Sequence, residues 1–138
     1  MRTASGRDVN VIAAAGVVVA TAPVVWYPLV WSDPSSGGTS AGGWVFLFAF
    51  SVAPFWLVAF LRATGRMRRV AGIVAAVIVA ALVVLGQIAG LNPNDPSSTA
   101  SIALVTTPMG AGFVALAIWG VDRAVQAVGA LLRTRERR

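Results

Sequence analysis

The chain has 138 residues, of which 57% are hydrophobic and only 12% are charged. A soluble fold of this size needs more polar side chains to cover its surface, so the composition excludes an ordinary soluble domain and indicates an integral membrane protein. The length leaves room for one domain only.

The residue types present exclude several kinds of chemistry. The chain has no cysteine and no histidine, and all 11 of its basic residues are arginine. Zinc, haem and iron–sulfur sites therefore lack their usual ligands, and a Ser–His or Cys–His pair cannot form. We expect no enzymatic activity, no metal and no cofactor. The arginines lie in short clusters beside apolar segments, which favours lipid headgroups over nucleic acid as their partner.

Four apolar segments follow one another along the chain. Each is about long enough to cross a hydrocarbon core of ~30 Å as a helix that rises 1.5 Å per residue. They cover residues 9–30, 43–61, 70–91 and 100–121, and a basic tail, 122–138, follows them. Within this tail the apolar segment 124–132 either extends the fourth helix or lies along the membrane interface. The sequence therefore predicts an all-α membrane protein whose four transmembrane helices pack as a small bundle in one domain.

The first segment has an alternative interpretation as a signal peptide. Arginines precede it, and Ala20, Thr21 and Ala22 match the A-x-A pattern of a cleavage site. Pro23 follows that site and the apolar run continues to Val30. We therefore favour a membrane span.

Two turn-rich loops, 32–42 and 92–98, separate the spans on one side of the membrane. Both contain Asp-Pro-Ser-Ser, which a duplicated hairpin or ordinary turn composition would equally produce. An aromatic belt is expected at the same interface, formed by Trp26, Tyr27, Trp31 and Trp44.

The arginines predict the orientation of the chain. All of them lie in the N-terminal segment, the loop 62–69 and the C-terminal tail, whereas the other two loops carry only Asp33 and Asp95. By the positive-inside rule, both termini and the loop 62–69 are then cytoplasmic. The Arg-only, Ala/Val/Gly-rich composition fits a GC-rich bacterial genome, so we expect a multi-pass protein of the bacterial plasma (inner) membrane.

The same loop is a candidate lipid contact. Arg62, Arg66 and Arg69 are spaced four and three residues apart, so they would share one face if the loop were helical. Together with Arg68 they would bind anionic lipid headgroups. Alternatively, the arginines only set the orientation.

The third segment carries the packing signals. Gly86 and Gly90 form a GxxxG pattern, which favours close approach of helices in lipid. Gln87 lies between them and is expected to bond to another helix or to a backbone carbonyl, because an unpaired amide in hydrocarbon is costly. This segment has no aromatic residue, whereas the second has seven. We expect the third helix to be central and the second to face lipid or a larger partner.

Two functional classes remain. No charged residue falls within a predicted hydrocarbon core, which argues against ion-coupled transport. The favoured class is a non-catalytic accessory or scaffold subunit of a larger membrane complex. The alternative is a homo-oligomeric pore or permease for a small neutral solute, lined by Ser51, Thr106, Thr107 and Gln87.

Overall fold

The structure, a computed structural model, describes residues 6–30, 41–90 and 98–136, with side chains at 6–22, 45–90 and 103–135. All of the regular structure in these ranges is helical. The helices in chain order are α1 (Gly6–Val30), α2 (Ala41–Ala63), α3 (Arg69–Gly90) and α4 (Ser98–Glu136).

Within the residues described with their side chains, three helices are long and apolar enough to cross a membrane. They contain the segments Val45–Ala63, Arg69–Gly90 and Ala103–Arg135. The predicted spans 43–61 and 70–91 coincide with α2 and α3 to within two residues. The first predicted span lies in α1, which is helical but is not one of these three.

Several predicted features lie outside the described part of the chain. The loops that contain Trp31, Asp33 and Asp95 are not described. The described part of the chain also excludes the side chains of Trp26, Tyr27 and Trp44.

The fourth helix extends well past the predicted end of its span at residue 121. It is continuous over 39 residues, through Pro108 and on to Glu136. The segment 124–132, which the sequence left either as a helical extension or as an interfacial segment, is therefore part of α4. Its alanines and leucines favour helix, and no proline ends it.

The central positions belong to α2 and α3. Each of these two helices contacts the other three, whereas α1 and α4 do not contact each other within the described ranges. The most extensive packing joins α3 to α4 and α1 to α2. The four helices are thus two neighbouring hairpins joined through α2 and α3.

The placement of α2 differs from the expectation that its aromatic residues face outwards. Phe55 is fully buried and belongs to the hydrophobic core, although Trp56 and Phe60 are exposed. A Cβ atom at Gly16 of α1 would lie 2.5 Å from the Cβ of Phe55. The missing side chain of Gly16 therefore makes room for Phe55 between α1 and α2.

Small residues occupy buried positions on both α3 and α4. The buried positions of α3 recur every three or four residues, and they are Gly72, Ala75, Val79, Val83 and Gly86. Ala111 and Ala115 are fully buried on α4. Such residues let two helix backbones approach closely, which strengthens van der Waals contact in lipid.

An apolar cleft of about 190 Å³ lies between α2 and α4. Pro54 and Pro108 both line it, together with Phe50 and Met109. These side chains offer no acid, base or nucleophile, so the cleft is suited to hydrocarbon.

We predict that Gly86→Ala destabilises the protein by about 1–3 kcal/mol through overpacking. A Cβ atom there would lie 2.5 Å from the Cβ of Thr107 on α4. Gly112→Ala is the matched control, because a Cβ atom at Gly112 meets nothing within 4 Å. It should be neutral or stabilise the helix by up to about 1 kcal/mol. Thermal unfolding in mild detergent measures both, and equal melting temperatures would contradict close packing at Gly86.

Candidate functional site

A short turn, 64–68, connects α2 to α3 and carries most of the polar contacts of the protein's basic end. Gly65 has a φ of 66°, a left-handed conformation that glycine adopts without strain. The amide of Gly65 donates to the carbonyl of Arg62 (3.0 Å), and the amide of Arg66 donates to that of Leu61 (2.9 Å). This Schellman pair ends α2 and aims the following residues at the start of α3.

The guanidinium of Arg62 is enclosed by the protein. The residue is only 6% exposed, and its Nη1 donates to the carbonyl of Met67 over 2.7 Å. Its Nη2 lies 3.8 Å from Oδ2 of Asp8 on α1. A Cβ atom at Gly72 would collide with Cδ of Arg62, so the glycine leaves the space in which the arginine side chain crosses α3.

Asp8 also pairs with Arg69, the first residue of α3. Nε of Arg69 lies 2.9 Å from Oδ2 of Asp8, and Nη2 donates to Oδ1 over 3.3 Å. The carboxylate therefore contacts arginines of two helices at once. It also lies in the first turn of α1, where the helix dipole favours a negative charge.

Asp122 of α4 accepts hydrogen bonds at the N-terminus of α3. Its side chain is only 2% exposed, and its Oδ2 accepts hydrogen bonds from the backbone amide of Arg68 (2.9 Å) and from Nε2 of Gln126 (2.9 Å). Nε of Arg68 pairs with Oδ1 of the same carboxylate. The carbonyl of Arg68 accepts from the amide of Gly72, so Arg68 is the N-cap residue of α3, and a carboxylate beside it complements the helix dipole.

We call this set of charged residues the basic-end clamp, because it joins all four helices at one end. Its members are Asp8, Arg62, Arg68, Arg69 and Asp122.

The turn has one further tie to α4. Nε1 of Trp119 donates to the carbonyl of Arg66 over 3.2 Å. The guanidinium of Arg66 lies 6.0 Å from the ring centroid of Phe60, at the limit of a cation–π contact. The backbone of the turn is thus held by α4, while the Arg66 side chain stays exposed.

The four arginines predicted to contact anionic lipid have different environments. Arg66, Arg68 and Arg69 are exposed, but Arg62 is buried and its guanidinium faces protein oxygens. They do not share one helical face, because residues 64–68 form a turn. Only the three exposed arginines are therefore open to a lipid phosphate.

A second polar contact lies within the helices. Nε2 of Gln87 donates to the carbonyl of Val19 on α1 (3.2 Å) and to Oγ of Ser51 on α2 (3.4 Å). The side-chain amide of Gln87 thus connects α3 to both α1 and α2. A partly buried amide in an apolar surrounding needs such partners.

The two glycines predicted as packing positions differ in their surroundings. Gly86 is buried and lies directly against Thr107. Gly90 is half-buried and is the last residue of α3. The close approach of α3 and α4 is therefore documented at Gly86.

Sequence reasoning missed the partners of the arginines. The sequence-based prediction gives no role to Asp8 or Asp122. The available signal is that each acidic residue lies at the basic end of its own predicted span, where an arginine-rich loop must come close. The prediction also gives no role to Gly16 or Gly72.

Comparisons with known proteins do not assign this site. No protein family, no curated protein and no solved structure matches the chain. Its function therefore has to be argued from its own residues.

We predict that Asp122→Ala destabilises the folded protein by about 1–3 kcal/mol, the usual cost of leaving buried hydrogen-bonding groups unpaired. The change removes the acceptor of the Arg68 amide and of Gln126. Arg123→Ala is the control, since Arg123 is the exposed neighbour on the same turn of α4. Thermal unfolding in detergent should show a lower melting temperature for Asp122→Ala, and an unchanged one for Arg123→Ala. Equal losses in the two variants would mean that the clamp does not stabilise the fold.

Proposed function

We propose that this chain is a non-catalytic membrane protein that serves as a small accessory or scaffold subunit of a larger membrane complex. The observation that carries the proposal is how the polar side chains are used. The clamp and the Gln87 contact join helices to one another, and the cleft between α2 and α4 is apolar. Nothing in these clusters is poised for chemistry on a substrate.

A broad apolar surface remains for lipid or for a larger partner. Large side chains on α2 and α4 are more than half exposed, and they include Trp56, Phe60 and Phe113. Aromatic side chains of this kind are enriched where proteins bind one another.

The proposal includes four spans packed as a bundle, with α1 as the first, and both termini in the cytoplasm of a bacterium. The support is the placement of every arginine near the N-terminus, in the segment 62–69 around the α2–α3 turn, and in the C-terminal segment 122–138. The exposed Arg66, Arg68 and Arg69 would then meet the anionic inner leaflet.

The alternative, a homo-oligomeric pore, gains no support from three of the four polar residues suggested for its lining. Gln87 and Ser51 bond to each other, and Thr107 packs against Gly86. These residues serve contacts between helices.

The orientation predicts the outcome of a reporter-fusion experiment. An enzyme that is active only outside the cytoplasm should be inactive when fused after Arg138 and active when inserted in the loop 35–42. The physical reason is the retention of arginine-rich segments on the cytoplasmic side. The opposite pattern would overturn the proposed topology.

The subunit proposal predicts a specific purification result. Isolated from its native membrane in mild detergent, the chain should elute with a larger membrane protein at fixed stoichiometry, because the exposed apolar surface is then covered by protein. Quantitative mass spectrometry and the particle mass measure this. A particle made only of this chain would contradict the subunit proposal and favour the pore.

A further inference from the structure

The last part of α4 extends beyond the other helices. Asp122 contacts Arg68, immediately before α3, so the 14 residues 123–136 continue past the start of α3. At 1.5 Å per residue this segment is about 21 Å long. We call residues 123–136 the C-terminal arm.

The arm has an apolar face that the described residues of the chain leave uncovered. Val125, Val128, Leu131 and Leu132 recur at helical spacing and are between 51% and 71% exposed. Such residues lie along one side of a helix, in a pattern typical of a helix that binds another helix. In the proposed topology the fourth span ends near Val121, so these exposed apolar side chains lie beyond the part of α4 that lipid tails cover. They therefore call for a different partner.

The arm is held at an angle fixed by the clamp. Trp119 and Asp122 both bond to the α2–α3 turn just before α4 leaves the other helices. Gln126 bonds back to Asp122 across the next helical turn, and α4 is unbroken there. Lying flat on the membrane surface would require a sharp bend after Asp122, where the helix is continuous and the Gln126–Asp122 bond spans the start of the arm.

The charge of the arm selects the chemistry of its partner. Arg123, Arg133 and Arg135 are exposed, and two more arginines end the chain. Asp122 is occupied by Arg68, which leaves Glu136 as the only acidic residue of the arm. Two copies of the arm would bring positive charges together, whereas an acidic helix would complement them.

We propose that the C-terminal arm binds an amphipathic helix of a partner protein, with an apolar stripe flanked by Asp and Glu. The inference rests on the proposed function as a subunit, and it names the segment and the chemistry of that contact. It belongs to the helix-in-groove class of recognition, in which apolar anchors at helical spacing supply affinity and charges supply orientation.

Site-specific photocrosslinking in native membranes tests the proposal. The probe is p-benzoylphenylalanine, placed at Val128 on the apolar face or at Ala130, two residues further along and on the other side of the helix. Val128 should yield an adduct with a second protein, and Ala130 should not. Mass spectrometry should locate the adduct in an acidic amphipathic helix of that protein. Adducts with a second copy of this chain, with lipid only, or with nothing would each overturn the inference.

A pair of charge insertions provides an independent measurement. Val128→Glu should reduce recovery of the co-purifying partner about tenfold or more, whereas Ala130→Glu should change it less than about twofold. Arg133→Glu should also reduce recovery, because it opposes the acidic flanks. Both arm positions are exposed, so an unchanged melting temperature separates loss of binding from loss of folding.

The outcomes distinguish this inference from the function on which it rests. If the partner remains bound to Val128→Glu as well as to the unaltered chain, the subunit role stands and the arm is not its contact. If the unaltered chain has no partner at all, the proposed function fails and the inference fails with it.

Discussion

A guanidinium can be buried in a protein only when oxygens surround it, and this requirement governs the basic end of the structure. Arg62 meets it with a carboxylate from α1 and a carbonyl from the turn before α3. It also needs the space beside Gly72. Each of these neighbours comes from a different part of the chain. Satisfying one buried charge therefore determines how the first three helices meet.

The fourth helix joins this arrangement through Asp122. In the middle of the protein an uncharged polar group, the Gln87 amide, also connects helices. Asp122 binds the start of α3, while the Gln87 amide connects α3 to α1 and α2. Between these levels the contacts are made by small residues such as Gly86 and Ala111. Lipid provides little hydrophobic force between helices, so close packing sets their distance and the polar contacts set their register.

Hydropathy alone predicted α2 and α3 to within two residues, because a helix that crosses a membrane has a length set by the bilayer. It also indicated that Gln87 needs a partner. The partners themselves could not be predicted, since Asp122 is 54 residues from Arg68 and no periodic pattern links them. The role of Gly16 depends on Phe55 facing it, which is a property of the packed pair. The sequence leaves the end of α4 open between a helical extension and an interfacial segment, because the apolar span stops before the helix does.

Asp122, whose carboxylate accepts the Arg68 amide at the start of α3, is synthesised well after α3 itself. At ribosomal rates of roughly 5–20 residues per second, the 54 residues between Arg68 and Asp122 take about 3–11 s to synthesise. During that interval the start of α3 lacks its acceptor from α4, and of the two carboxylates in the basic-end clamp Asp8 alone has been made. The three arginines of the clamp then face one carboxylate until Asp122 emerges. A chain that stops before residue 122 stays in this condition permanently, with Arg68 lacking its carboxylate and the amide that begins α3 without its native acceptor.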